Sequence, residues 1–136
     1  MKKAISLFCL AALAVIFLCG CQIIRIEEEP RQPLEYELVK QDDIPRELYA
    51  LIGEKKKKEF QLTYQSGEEL YLIKGYGRQM SGGYSIQVEE LGLTSNAVFF
   101  RTKLIGPTDL GEAGGEPSYP YIVIKTAYRK ETVQFE

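Results

Sequence analysis

"FQLTYQSGEELYLIKGY", residues 60–76, sets Phe60, Leu62 and Tyr64 alternately with Gln61, Thr63 and Gln65, then breaks at Ser66-Gly67. A period of two that ends on a Ser-Gly pair reads as a strand followed by a turn. Leu70 to Tyr76 then reads as a second strand. Upstream the period is different. Asp42 and Asp43 precede "IPRELYALIGEKKKK", in which Ile44, Leu48, Leu51 and Ile52 recur at helical spacing and make one apolar stripe, while Arg46 and Glu47 face water. Pro45 is accepted in the first turn, where a missing N–H costs little. Gly53 either ends this helix or weakens it. Lys55 to Lys58 suit a helix C-terminus, where cations are favoured, and the other reading of the run is a grip on anionic lipid.

Downstream the strand pattern continues. Tyr84, Ile86 and Val88 share one parity and Leu91 and Leu93 the other, which predicts a β-bulge near Glu89-Glu90. Val98, Phe100 and Leu104 alternate with Phe99, Arg101 and Lys103. Tyr121 to Ile124 is apolar on both faces, as a central strand should be, with Pro120 acceptable at its start. Val133 and Phe135 make a short terminal strand, and Tyr36 to Val39 one before the helix. Short turns and the lack of alternating helices favour antiparallel pairing. The expected fold is mainly β, a single antiparallel β-sandwich or open barrel with one packed α-helix.

With 136 residues, 45% hydrophobic and 26% charged, the chain fits one domain with a core. A net charge of −2 and a pI near 5.4 supply no basic surface for nucleic acid. Histidine is absent, and Cys9, Cys19 and Cys21 all lie in the N-terminal stretch. Cys and His nucleophile chemistry, thiolate or imidazole zinc sites and disulfides are therefore excluded after Gln22.

That N-terminal stretch is an address. Lys2 and Lys3 precede the uncharged run Ala4 to Gly20, which is signal-peptide grammar at the short end for a membrane span. It closes on Leu18-Cys19-Gly20-Cys21, which resembles the bacterial lipobox: an aliphatic residue three before the cut and a small residue just before it. The resemblance implies recognition of Leu18, Cys19 and Gly20 by the lipoprotein signal peptidase, acylation of Cys21 by palmitate-type chains, and cleavage before it. The alternative is an uncleaved signal anchor. Two or three acyl chains hold a protein on a bilayer far more firmly than one. Residues 1–20 then form the leader, 21–33 a Pro-containing, charged tether, and 34–136 the β-rich domain. The expected location is the cell membrane or outer membrane, lipid-anchored on the extracytoplasmic face.

Two loops stand out. "GRQMSGGYSI" holds Met80 at its tip and the Gly82-Gly83 pair before Tyr84, and reads as a structural turn or a partner contact. Gly106 to Pro120 is long, rich in Gly and Pro, and acidic through Asp109, Glu112 and Glu116; such a loop is functional or flexible, and it matches no EF-hand spacing. Gly75-Tyr76-Gly77 lacks the third glycine and the βαβ setting of a nucleotide motif.

The string "GYGRQMSGGYSIQVEEL" followed by a Pro-Gly loop and "SYPYIVIK" resembles the C-terminal domain of the PrcB family, on the Ser81-Gly82-Gly83-Tyr84 turn and the Pro120-Tyr121 strand start. PrcB subunits look like lipoproteins that accompany secreted subtilisin-like proteases. The resemblance implies a non-catalytic accessory subunit with a protease as partner. Met80, Ser81, Gly82, Gly83, Tyr84, Tyr119, Pro120 and Tyr121 are its candidate contacts. No catalytic residue, cofactor or metal is expected. Readings of another class remain: an envelope glycan hydrolase using paired glutamates, a Ser81 or Ser85 dyad with Lys74, or a lipoprotein enclosing a small ligand.

Overall fold

The computed structural model describes residues 29–108 and 115–136. The leader, the lipobox with Cys21, residues 22–28 of the tether, and Asp109 and Glu112 of the long loop lie outside the described residues. Along the chain run β1 (Gln32–Pro33), β2 (Glu37–Leu38), a 3-10 turn (Gln41–Asp43), α1 (Arg46–Lys55), β3 (Glu59–Ser66), β4 (Glu69–Tyr76), β5 (Ser85–Leu93), β6 (Ala97–Ile105), β7 (Tyr121–Ala127) and β8 (Thr132–Phe135). They form two four-stranded sheets, ordered β1-β5-β6-β8 and β2-β7-β4-β3. The molecule is mainly β and sandwich-like, and the sheets do not close into a barrel.

Alternation decides what each face of β4 meets. Leu70 and Leu72 point between the sheets, where they pack with Leu91, Val98, Phe100 and Ile124. Tyr71 and Ile73 point the other way, onto Ile44, Leu48 and Ile52 of the helical segment and Val123 of β7. Each of the fully buried side chains contributes about 1.5–3 kcal/mol by leaving water. Ile44, Leu48 and Ile52 of the stripe read from sequence are the residues that pack, whereas Leu51 is only half-buried and stands outside the cluster, and the helix continues through Gly53 to Lys55. Pro45 caps it from just outside, and its carbonyl accepts the Tyr49 N–H at 2.9 Å.

The β5–β6 pairing slips between Val88 and Glu90, so Glu89 is the extra residue of the bulge and Leu91 returns to the core parity. One pairing departs from the antiparallel expectation: β8 runs parallel to β6. The reason is topological. β7 lies between them in sequence but belongs to the opposite sheet, so β8 returns in the direction of β6. The tether boundary also differs from the sequence reading. The compact unit begins at Arg31, and Gln32–Pro33 pairs with Leu93 and Gly92 of β5. Arg31 locks this strand: its guanidinium bonds Glu90 at 3.1 Å and Glu136 at 2.7 Å, and lies 3.7 Å over the Phe99 ring.

Two predictions test this packing. A Cβ added at Gly75 would overlap the Phe60 ring that lies across it, so Gly75→Ala should destabilise by about 1–3 kcal/mol in urea unfolding. Combining it with Phe60→Leu should recover part of that loss. The hydrogen bond from Arg31 holds the Glu136 carboxyl below its usual range, as Arg129 does for Glu131. Groups depressed in the folded state stabilise fully above their unfolded pKa, and that stability is lost as pH falls through the folded value. Thermal stability should therefore drop below about pH 4.3, the ordinary glutamate value, and Glu136→Gln should make the acid limb shallower.

Candidate functional site

Three segments meet at one end of the sandwich because of how the chain changes sheets. β4 leads to β5 and β6 leads to β7, and each step crosses from one sheet to the other. These two connections are long, residues 77–84 and 106–120, whereas the sheet changes from β1 to β2 and from β7 to β8 take only residues 34–36 and 128–131. The register places them at the same end, since Ser85 pairs with Ile105 and Gly75 with Tyr121. The α1–β3 connection with Lys56 to Lys58 reaches this end too, because Glu59 pairs with Tyr76. The turns at Gly67-Glu68 and Thr94–Asn96, and the start of the unit at Arg31, occupy the opposite end.

The two candidate segments are fastened to each other. Gln79 and Ser118 form an isolated antiparallel bridge, with N–H to carbonyl distances of 2.8 and 3.1 Å. The Ser118 hydroxyl donates to the Ser81 carbonyl at 2.6 Å, and the Tyr76 N–H to the Pro120 carbonyl at 3.0 Å. Gln79 Nε2 closes the turn on the Tyr76 carbonyl at 3.1 Å. Gly77 and Gly83 take the left-handed backbone, φ 74° and 83°. At Gly77 a Cβ would stand 2.9 Å from the Glu59 backbone nitrogen, so the turn can run against the α1–β3 connection only as glycine.

The individual candidates are placed as follows. Met80 sits at the tip with 79% of its surface exposed. The Ser81 hydroxyl donates to the adjacent Gly82 carbonyl at 3.3 Å, and the Tyr84 ring approaches Gly106 from beside the second crossing. Tyr119, Pro120 and Tyr121 line a shallow groove of about 340 Å³ with Val39, Ile44 and Val123. Burial, and secondarily Tyr49, push the Tyr121 phenol up. The sequence reading missed Tyr76, Gln79, Ser118 and the lysine run as parts of this end. Lys56 Nζ lies 5.7 Å over the Tyr119 ring, and the Arg78 N–H donates to the Lys57 carbonyl at 3.3 Å. Ser118 stands inside the "SYPY" string, but its partner is fixed only by the crossover.

Lys74, buried between the sheets, is held by Glu59 at 2.7 Å and lies 5.2 Å over the Tyr76 ring. Tyr76 in turn bridges the sheets through Thr102 Oγ1 at 2.5 Å. No hydrogen bond joins Lys74 to Ser81 or Ser85 among the described residues, so the Ser-Lys dyad is not assembled. The adjacent acids Glu89 and Glu90 are both engaged by Arg101, at 3.3 and 3.2 Å, and Glu90 by Arg31 as well. Among the described residues no three His, Cys, Asp or Glu side chains gather as metal ligands.

Ser118→Ala removes one hydrogen bond of the fastening, worth about 0.5–1.5 kcal/mol. Faster amide exchange at Gln79 and Ser118 is expected, with the β4 and β7 amides unchanged. Equal acceleration in β4 would show that the bridge is part of the global core.

The family model described as PrcB C-terminal matches residues 70–127. No curated protein and no solved structure matches the chain. The matched span runs from β4 through both crossings to the end of β7, and so contains every candidate contact residue. Residues 70–127 are thus similar to the PrcB C-terminal family over a span of β4 to β7.

Proposed function

We propose that this protein is a non-catalytic accessory subunit that binds a secreted subtilisin-like protease through its crossover end, and that lipid on Cys21 holds it at the extracytoplasmic face of the membrane. The observation that carries the binding role is the mutual fastening of the two crossing loops through Gln79, Ser81 and Ser118. Loops that are pinned to one another present a surface whose ordering cost has been met before a partner arrives. At its tip Met80, an adaptable apolar side chain, projects into solvent, and at the base of the same turn the Arg78 N–H meets the Lys57 carbonyl of the basic stretch. The match of residues 70–127 to the PrcB C-terminal model is consistent with an accessory subunit of a protease complex.

The anchoring role rests on the lipobox-like Leu18-Cys19-Gly20-Cys21. About ten residues separate Cys21 from Arg31, a reach of at most about 36 Å when extended. An anchor there would be joined to the domain through Arg31, which precedes β1 at the end of the sandwich opposite the crossovers. On this reading the lysine run serves protein contact and helix termination, and the bilayer is held by acyl chains alone.

Two experiments test the parts separately. A photo-crosslinker at Met80, in intact membranes of the producing cell, should recover a subtilisin-like protease, and one at Asn96 on the opposite end should not. Recovery of no protease at Met80, or equal recovery from both positions, would argue against the loop-end role. For the anchor, the mature wild-type N-terminus should begin at an acylated Cys21, whereas Cys21→Ala should retain residues 1–20 and carry no acyl mass. A wild-type chain that itself keeps residues 1–20 would sink the anchoring claim.

A further inference from the structure

β3 is the outermost strand of its sheet, and its outer edge is unpaired among the described residues. The other three outer strands are short: β1 and β2 have two residues each, with Pro33 in β1, and β8 has four. Shortness and proline are the usual protections of an exposed edge. β3 has neither. It pairs with β4 without interruption from Glu59 to Ser66, with no bulge, and residues 60–66 carry no charge and no proline.

The hairpin fixes which backbone groups look outward. Ser66 pairs with Glu69 across the two-residue turn and is therefore a hydrogen-bonded pair, so the intervening residues Gln61, Thr63 and Gln65 turn their N–H and C=O groups to the open side. Their side chains are exposed as well. The stretch reads Gln-Leu-Thr-Tyr-Gln from 61 to 65 and has the same chemical character in either direction about Thr63.

We propose that β3 pairs antiparallel with β3 of a second copy about a two-fold axis at Thr63, joining two four-stranded sheets into one continuous sheet. In that register Thr63 faces Thr63, and Gln61 faces Gln65 of the other copy; like polar side chains hydrogen-bond across such pairs. On the helix-facing side Leu62 meets Tyr64, covering two apolar side chains that the monomer leaves half-buried. No like charges meet, because Glu59 falls opposite the Gly67 position. The pairing is isologous and closed, so it stops at a dimer. A strand from another protein would gain nothing from the symmetry of 61–65, which is why a second copy is the assigned occupant. This assignment does not rest on the protease reading.

The test is sedimentation equilibrium of the full-length chain in density-matched detergent over a concentration series. The wild-type chain should reach twice the monomer mass. Thr63→Lys and Thr63→Glu, which place like charges face to face, should each remain monomeric, and mixing the two should restore the dimer. Amide exchange at Gln61, Thr63 and Gln65 should be slow in the wild type and fast in either variant alone. A wild-type chain that stays monomeric throughout, which would leave the edge to a strand from another protein, overturns the proposal. Charge variants that still dimerise, or that fail to reassociate on mixing, overturn it as well.

Discussion

Burial of β4 on both faces is the constraint from which the architecture follows. A strand with Leu70 and Leu72 on one side and Tyr71 and Ile73 on the other cannot be satisfied by a two-layer arrangement. It needs a partner layer on each face, and the chain supplies a helix on one and a second sheet on the other. β7 is bound to the same solution, because Val123 faces the helix and Ile124 the second sheet. Two adjacent central strands with this double demand fix a helix–sheet–sheet stack, and every other strand is placed by which layer it completes.

The stack also explains why the candidate contact residues collect at one end. The chain changes sheets after β4 and again after β6, and antiparallel order delivers both changes to the same rim. Both connections are long and glycine-bearing, unlike the short crossings from β1 to β2 and from β7 to β8. They would be loose but for the Gln79–Ser118 bridge and the Ser118 hydroxyl, which make the crossings a single surface. The structural reading of the Gly82-Gly83 turn and the contact reading are therefore compatible: a turn needed to cross the sandwich becomes a presentable tip only because it is fastened.

Much of the fold was legible because it depends on local period. The helix stripe at Ile44, Leu48 and Ile52, the parity slip at Glu89, and the two-sided apolar β7 are each written within a few residues and reappear in the packing. What was not legible depends on residues far apart. Gln32–Pro33 looked like tether because two residues carry no period; their placement comes from Arg31 reaching Glu90 and Glu136. "TVQF" alternates equally well against any neighbour, so its parallel partner could not be read without knowing that β7 sits in the other sheet. Gly75 resembled half a nucleotide motif, whereas its lack of a side chain admits the Phe60 ring. Of the candidate site, Met80 and the Ser81–Tyr84 turn were visible as composition. The residues that hold them, Tyr76 and Ser118, had no local signal.

The two sheets differ in how far they extend over one another, and Lys74 marks the boundary. Its neighbours on the same face of β4 are Leu70 and Leu72, yet the opposing residues on β3, Glu59, Gln61, Thr63 and Gln65, are all exposed. The second sheet therefore covers β4 and stops short of β3. A lysine suits that position because its methylene stem lies with the apolar core while its ammonium reaches Glu59 at the water boundary and rests on the Tyr76 face. A shorter or purely apolar side chain there would either leave Glu59 without its partner or carry the apolar surface out toward β3. The side of β3 that faces away from the helix is polar because its residues stay exposed, and among the described residues no strand lies beside its outer edge. The reach of the second sheet thus decides where the hydrophobic core ends and where the molecule still offers unpaired backbone.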